Sequence, residues 1–341
     1  QWFRSITVGS GQGDGYPASI VGSSVNRGNF MTLDKNVVTV SDTALTVMNS
    51  SANQSINRQH SFNSPVLKAT SGKYLIYNLG GNGFKIEGSS DTIYSGNTSN
   101  NIIAGDIAGS GRYALVTETQ GYPSSLSVYL TDNTVQYKYD FSEYYVTDIS
   151  LNSDGTRAAV SGITAKDGGI VSAVYIFDFS NPEPIAILTY NEVLMEKVEY
   201  MDNGTVAAIG DTTTSMINGT TGEKVDYNYQ SRQMTDYAID KNRVALALTP
   251  YDNQSASKLV ILDSSASEKC VIESQDKIDA VSLYGDTAAI LTDSTITGYS
   301  ASSGNSFSTA EAGSDARGIA LADEATVYVL GVSQVRQARF S

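Results

Sequence analysis

The sequence predicts an all-β protein of one domain, residues 1–341, folded as an eight-bladed β-propeller with seven blades as the alternative. One unit returns along the chain about every 40 residues: a short apolar strand, a turn of Asp, Asn, Gly or Ser, and a second apolar strand. Its apolar residues alternate or form short runs and do not recur at helical spacing, which favours strands. Two further strands follow each hairpin, and four strands per unit are typical of a propeller blade.

The hairpin unit is clearest in "LNSDGTRAAVSG" (151–162), where Asp154 and Gly155 supply the turn. Residues of these types tolerate the positive φ that tight hairpin turns require. The two further strands of the same unit are "IVSAVYIFDF" (170–179) and "PIAILTY" (184–190). The eight turns are centred on Asn36, Gly72, Gly111, Gly155, Gly204, Asn242, Gly285 and Glu324.

The two ends of the chain are predicted to meet in the last blade. After "TVYVLG" only "QVRQARF" (334–340) remains, so the last unit has three strands of its own. We expect "FRSITV" (3–8) to add the fourth strand, because a strand shared between the two termini closes the ring and leaves no interior edge unpaired. Residues 9–26 are then a loop, and residues 27–341 form the blades.

Charge and composition exclude several classes of function. The formal net charge is −14 and the pI is near 4.4, whereas binding of nucleic acid needs clustered Lys and Arg. The single cysteine, Cys270, is expected to be a small buried residue. With one histidine, His60, and one cysteine, the chain cannot supply the ligands of an ordinary zinc site. No metal or other cofactor is expected, and His60 is interpreted as a structural residue.

No catalytic residues are predicted. A Ser–His–Asp triad would have to include His60, and no spacing singles out a pair of carboxylates for a glycosidase mechanism. The "NSDGT" (152–156) turn resembles the Asp box of sialidases but lacks its Trp, so a plain hairpin is the better interpretation. Function must therefore be sought in the surfaces that a propeller offers.

One such surface is the mouth of the central channel where the innermost strands begin. Polar residues recur near this point in seven of the units, at four to seven positions before the turn. They predict a ring of mixed charge that either provides a polar wall for water or binds a small polar ligand or an ion. Its members are Asn29, Lys68, Asp148, Lys197, Asp236, Asp279 and Arg317.

The loops between the second and third strands are predicted to open at the same end of the ring. The longest are residues 117–125, 162–172 and 248–258. Four tyrosines in or near them are candidate anchors for a protein or glycan partner, since aromatic side chains on rigid scaffolds are typical of such contacts. They are Tyr122, Tyr144, Tyr145 and Tyr251.

Several segments resemble an uncharacterised family of bacterial propellers that is common in Clostridia and related Firmicutes. They include "RQHSFNSPVLKA" (58–69), "YYVTDISLNSDGTRAAVSG" (144–162) and "YMDNGTVAAIGD" (200–211). The resemblance implies an extracytoplasmic propeller tethered by one N-terminal transmembrane helix, and it assigns no activity or site residues. Because the sequence starts at Gln1, we expect that a targeting or anchoring segment has been removed from it.

The function predicted from these observations is that of a monomeric, non-enzymatic interaction module outside the cytoplasm. It would bind a protein or a cell-envelope component through one face of the propeller. The alternatives are a sensor for a small ligand or an ion at the channel mouth, and a hydrolase that uses carboxylates at the same place. A deep pocket with two facing carboxylates would favour the enzyme, and a flat face rich in Tyr would favour a partner.

Overall fold

The computed structural model describes residues 13–341 and contains eight four-stranded antiparallel sheets. Each sheet is one blade; in seven of them the four strands follow one another along the chain, and the eighth combines the last three strands with the first. The prediction of an eight-bladed propeller is thereby confirmed.

The first strand of each blade is the innermost, because these strands contact one another around the centre of the ring. Blade 1 comprises β2 (Val25–Leu33), β3 (Asn36–Ser41), β4 (Ala44–Met48) and β5 (Gln54–Gln59); blade 2 β6 (Pro65–Thr70), β7 (Lys73–Asn78), β8 (Gly83–Gly88) and β9 (Thr92–Asn97); blade 3 β10 (Ile102–Ile107), β11 (Tyr113–Thr119), β12 (Tyr122–Tyr129) and β13 (Val135–Phe141); blade 4 β14 (Tyr145–Leu151), β15 (Arg157–Lys166), β16 (Gly169–Asp178) and β17 (Ala186–Asn191).

The second half of the ring repeats this arrangement. Blade 5 comprises β18 (Met195–Tyr200), β19 (Thr205–Gly210), β20 (Thr213–Asn218) and β21 (Lys224–Asn228); blade 6 β22 (Arg232–Asp240), β23 (Arg243–Pro250), β24 (Ser257–Leu262) and β25 (Glu268–Ser274), with a 3-10 turn at Gln254–Ala256; blade 7 β26 (Ala280–Tyr284), β27 (Thr287–Thr292), β28 (Thr295–Ser300) and β29 (Ser306–Glu311); blade 8 β30 (Gly318–Leu321), β31 (Thr326–Leu330), β32 (Gln334–Arg339) and, from the start of the chain, β1 (Ala18–Ser19).

The hairpin turn at 152–157 illustrates why the recurring sequence unit folds as it does. Gly155 has φ of +75° and its N–H donates to the Asn152 carbonyl at 3.1 Å. A Cβ on Gly155 would lie 2.7 Å from the Cβ of Arg112 on blade 3, so only glycine fits both the backbone and the packing. The Asn152 side chain accepts hydrogen bonds from the N–H groups of Thr156 and Arg157, which fixes the start of β15.

The hydrophobic core is divided among the contacts between blades. In residues 13–341, eight apolar clusters each join two consecutive blades, including one between blades 8 and 1. The cluster between blades 3 and 4 is the most aromatic, with Phe141, Tyr175 and Phe177 stacked edge to face or in parallel. Each blade therefore depends on both of its neighbours for burial of its apolar surface.

The N-terminal segment contains a short strand within the region predicted to be a loop. Within residues 9–26, which the sequence assigned to a loop, Ala18–Ser19 forms β1 and pairs with Val335 and Gln334 of β32, and Val25 already belongs to β2. A two-residue strand carries too little periodicity to be detected in a sequence. The candidate strand at 3–8 lies outside the described residues.

Two ends of the ring can now be distinguished. The connection face carries the links from one blade to the next and the loops between second and third strands, and the innermost strands start there. The turn face carries the hairpin turns between first and second strands, and the innermost strands end there. Among residues 13–341 no helix is long and apolar enough to cross a membrane.

Candidate functional site

Several members of the predicted ring hold neighbouring blades together. The Asn29 side chain donates to the Pro65 carbonyl at 2.8 Å and accepts from the N–H of Leu67 at 2.9 Å, which joins blade 1 to blade 2. Asp148 Oδ2 accepts from the N–H of Val198 at 3.1 Å. Polar residues recur on the innermost strands partly because the backbone N–H groups of the next blade need hydrogen-bond acceptors.

The same arrangement recurs in other blades. Asp236 Oδ2 accepts from the N–H of Val281 at 2.9 Å, and Asp106 Oδ2 accepts from that of Leu151 at 2.7 Å. Serine hydroxyl groups have the same role in two other places. The Ser150 hydroxyl accepts a hydrogen bond from the N–H of Tyr200, and the Ser282 hydroxyl accepts one from the N–H of Leu321. In each case the acceptor lies on an innermost strand and the donor lies on the innermost strand of the following blade.

Lys68 and Asp148 form an ion pair inside the ring. Lys68 Nζ lies 3.0 Å from Asp148 Oδ1, so the pair joins blade 2 to blade 4 past blade 3. The Asp148 side chain is 5% exposed and that of Lys68 is 24% exposed. Burial alone would lower the pKa of Lys68, but the carboxylates of Asp148 and Asp106 outweigh it and hold the pKa above its ordinary value. Lys68 is therefore charged, and both oxygens of Asp148 are engaged.

A second set of contacts lies where β2 starts. The pairing of β2 with β3 is interrupted between Val25 and Phe30, and Arg27 lies in this interruption. Its guanidinium lies 3.2 Å from Asp236 Oδ2 and donates to the Asp279 carbonyl at 3.2 Å. Arg27 thus links blade 1 to Asp236 of blade 6 and to Asp279, which directly precedes β26 of blade 7. Arg27 was not predicted as a site residue, because a fixed distance from the turn selects residues only where the strand is regular, and β2 is irregular here.

The three remaining ring candidates have different surroundings. Arg317 donates to the Val25 carbonyl at 3.1 Å and so connects blade 8 to blade 1. Asp279 Oδ2 accepts from the N–H of Asp293 at 3.2 Å. Lys197 is exposed, and no ion pair to it occurs in the described part of the chain. Binding of a ligand by this ring stays a prediction.

A cavity lies at the opposite end of the channel from the predicted mouth. It has a volume of about 710 Å³ and is formed where the innermost strands of blades 1 to 5 run into their turns. Its charged lining residues are Lys68, Asp106, Arg157, Glu199 and Asp202. The volume is within the range of sites for small molecules, roughly 300–1,000 Å³.

Two carboxyl groups in this cavity have shifted pKa values. Burial raises the pKa of Asp106 to about 6, against the opposing effects of Lys68 and of the hydrogen bond from Leu151. Burial also raises the pKa of Glu199 to about 7, opposed by Lys68 and reinforced by Asp106, Asp148 and Asp202. Glu199 is surrounded by the blades but its side chain is open to the cavity, so water there moderates the effect. Both groups favour the neutral form more than an ordinary carboxyl does.

Alternation along the strand is the sequence signal that could have identified Glu199. Glu199 lies two residues after Lys197 and therefore on the same side of an extended strand. Asp106 and Glu199 each stand five residues before their turn glycines, Gly111 and Gly204. Most members of the predicted ring belong to the row nearer the start of each strand, so the ring does not include these two residues.

Three of the four candidate tyrosines are exposed at the connection face. Tyr122 is 46% exposed, Tyr145 61% and Tyr251 67%. Tyr144 is 3% exposed and packs edge to face against Tyr175, so the prediction that it is a surface anchor is wrong. Neighbouring residues of an extended chain point in opposite directions, and Tyr144 and Tyr145 cannot both face solvent.

His60 organises the link between blades 1 and 2. Its Nε2 lies 2.8 Å from the Ser41 carbonyl and its Nδ1 accepts from the N–H of Phe62 at 3.0 Å, which requires the tautomer protonated at Nε2. Burial lowers the pKa of His60, against the effect of the Ser41 carbonyl. Both ring nitrogens are therefore used by neighbouring backbone groups.

Replacement of His60 tests the structural interpretation. We expect His60→Gln to lower the free energy of unfolding by about 1 kcal/mol, the usual effect of losing one hydrogen bond. Binding through either face should be unchanged, since both ring nitrogens serve the backbone. Urea denaturation gives the first quantity and titration of any bound ligand the second. A folded variant that has lost binding would contradict the structural role.

Sequence comparison places the chain in a family of unknown function. The model of the DUF5711 family, a family of unknown function, matches residues 16–339, and the chain belongs to this family. No functionally curated protein matches the chain.

Solved structures support the fold from a wider set of proteins. The chain is similar to the computationally designed Ika8 protein, with a TM-score of 0.66, 14% identity and coverage of 95% of this chain and 100% of that one. It is similar to BamB from Moraxella catarrhalis, with a TM-score of 0.58, 10% identity and coverage of 95% and 100%. It is similar to the C-terminal WD40 domain of Sif2, with a TM-score of 0.67, 10% identity and coverage of 95% and 97%. At these identities the likeness concerns the fold alone.

Proposed function

We propose that the protein is a non-enzymatic interaction module that binds a protein or a cell-envelope component through its connection face. The observation that carries the proposal is the exposure of Tyr122, Tyr145 and Tyr251 on that face. Leu79, which follows β7, and Ile170, at the start of β16, are 46% and 48% exposed at the same end of the ring. Large side chains held by rigid strands bind with little loss of conformational entropy, which favours a partner at this face.

An extracytoplasmic location, with a tether at the N-terminus, is part of the same proposal. It is supported by a composition rich in Tyr, Thr, Ser, Asn and Gly and by the resemblance to anchored bacterial propellers described above. Protease treatment of intact cells that express the full-length gene product tests it. Protection of the propeller from the protease would contradict an outer location.

A hydrolase is less well supported. Hydrolysis by two carboxyl groups requires one protonated and one ionised group at the same pH, which separate pKa values provide. Burial raises the pKa of both Asp106 and Glu199, to about 6 and about 7, and does not separate them widely.

The interaction face is tested by removing its aromatic side chains together. We expect the triple variant Tyr122→Ser, Tyr145→Ser, Tyr251→Ser to fold and to lose at least tenfold in affinity for the partner retained by the wild type from envelope extracts. The matched control is Val135→Ser, Val225→Ser, Phe307→Ser, which removes side chains of similar exposure from outermost strands. The proposal fails when both triple variants retain the partner equally or lose it equally.

A further inference from the structure

The cavity at the turn face is lined by charged side chains that are not part of the connection face. Each of its two cationic side chains is already engaged. Lys68 pairs with Asp148, and Arg157 lies 2.9 Å from Asp178 and donates to the Gly219 carbonyl at 3.0 Å. Neither cation is free to receive an anionic ligand.

The carboxylates of the lining are in the opposite situation. Among residues 13–341, Glu199 and Asp202 form no hydrogen bond or ion pair through their side chains, and Asp106 receives only backbone N–H groups. Three carboxylates thus line one cavity, and in the described part of the chain none of them forms an ion pair of its own. This arrangement costs free energy when the groups are ionised, because like charges repel.

We propose that the cavity binds a small organic cation that carries one or two ammonium or guanidinium groups. The cation would lie between Glu199 and Asp106, and Asp202 would contact it at the rim. Lys68, which is paired with Asp148, also lines the cavity. The site is separate from the connection face, so it goes beyond the proposed function and does not depend on it.

The spacing of the carboxylates favours an organic cation over a metal ion. A metal ion needs its oxygen ligands within about 2.6 Å of one point. In the described ranges no three His, Cys, Asp or Glu side chains come close enough together for that. An alkyl diamine or a guanidinium compound can contact carboxylates that lie farther apart, and its apolar part can contact Met31 and Ile107, which also line the cavity.

The pH dependence of binding follows from the raised pKa values. A cation binds the ionised carboxylates, so protonation of Glu199, with a pKa of about 7, and of Asp106, with a pKa of about 6, competes with the ligand. Affinity should therefore be full near pH 8 and fall as the pH is lowered through 7 and 6. Lys68 and Asp148, Tyr77 of β7, Tyr237 of β22 and Asp202 are the other titratable groups around these two. Lys68 keeps its proton throughout this range because its pKa is raised.

Isothermal titration with putrescine, spermidine and methylguanidinium at low salt tests the proposal. We expect saturable binding of at least one of these at one molecule per chain, at least tenfold weaker at pH 5.5 than at pH 8. Glu199→Gln should weaken binding at least tenfold. The matched control Glu311→Gln, on the outermost strand of blade 7, should bind like the wild type. Inorganic phosphate should not bind.

Several results would overturn the proposal. These are the absence of saturable binding by all three probes, equal weakening in Glu199→Gln and Glu311→Gln, or saturable binding of calcium at the same site. Asp202→Asn, at an exposed turn, provides a second variant that does not depend on the folding of Glu199→Gln. The triple tyrosine variant should bind the amine unchanged, which separates failure of this site from failure of the connection face.

Discussion

Replacing Asp148 with leucine is expected to lower the free energy of unfolding by about 3 kcal/mol, because it leaves a charged lysine inside the ring without its partner. The carboxylate is 5% exposed and uses one oxygen for Lys68 and the other for the N–H of Val198. The variant therefore removes the only ion pair of Lys68 among the described residues and the acceptor of a backbone donor in the next blade. Urea denaturation measures the difference.

Two further variants separate these contributions. Asp148→Asn keeps an acceptor for the N–H of Val198 and removes the charge, so its loss of stability should be smaller. Adding Lys68→Met to Asp148→Asn removes the unpaired cation and should restore much of the stability, since an ion pair replaced by apolar groups of similar size is often neutral. A loss below about 1 kcal/mol for Asp148→Leu would mean that water in the channel screens the pair as it screens one at the surface.

The architecture was predictable because its signals are local. Each hairpin is specified within about a dozen residues, as in 151–162, and the regular return of such units predicts eight blades, with seven as the alternative, without knowledge of any contact between them. Gly155 and the Asn152 side chain make the turn through neighbours in sequence. Contacts of this turn with other blades, such as that of Gly155 with Arg112 and the hydrogen bond from Ser110 to the Ser153 carbonyl, add to a turn that is already specified locally.

The site was less predictable because it depends on contacts between residues far apart in sequence. The spacing from the turn placed Asp148 on an innermost strand, but it could not show that Lys68, eighty residues earlier, would reach it. The offset also selected the row of residues near the start of the strands and missed Glu199 and Asp106 at the other end. Tyr144 was misassigned because the strand parity at the entrance to β14 is set by packing against Tyr175.

The recurrence of polar residues on the innermost strands has a simple structural cause. Innermost strands of consecutive blades approach each other without forming a continuous sheet, so single side chains such as Asn29 and Asp236 accept hydrogen bonds from the next strand. A sequence pattern of polar residues near a channel therefore indicates contacts between blades as readily as a ligand site. The residues whose polar groups lack such partners, Glu199 above all, are the better indicators of function.

Deleting residues 1–22 is expected to lower the free energy of unfolding by about 4 kcal/mol and to promote aggregation. The described part of this segment bridges the last blade and the first. Tyr16 packs on Tyr328 with ring centroids 5.2 Å apart and donates to the Asn49 carbonyl at 2.6 Å, while the N–H of Ile20 donates to the Ser333 carbonyl at 3.0 Å. The expected loss combines the burial of two half-buried side chains with the loss of two or three hydrogen bonds. Loss of β1 also exposes backbone groups of β32, and an unpaired edge favours aggregation.

A shorter deletion, of residues 1–12, is the matched control and decides between the two candidates for closure. When Ala18–Ser19 and its flanking contacts close the ring, this variant keeps most of the stability and the loss appears only in the longer deletion. When "FRSITV" (3–8) is the closing strand, the shorter deletion is already as unstable as the longer one. Thermal melting and light scattering of the two variants beside the full chain measure both effects. The first outcome is expected, because β1 already occupies the position beside Gln334 and Val335 of β32.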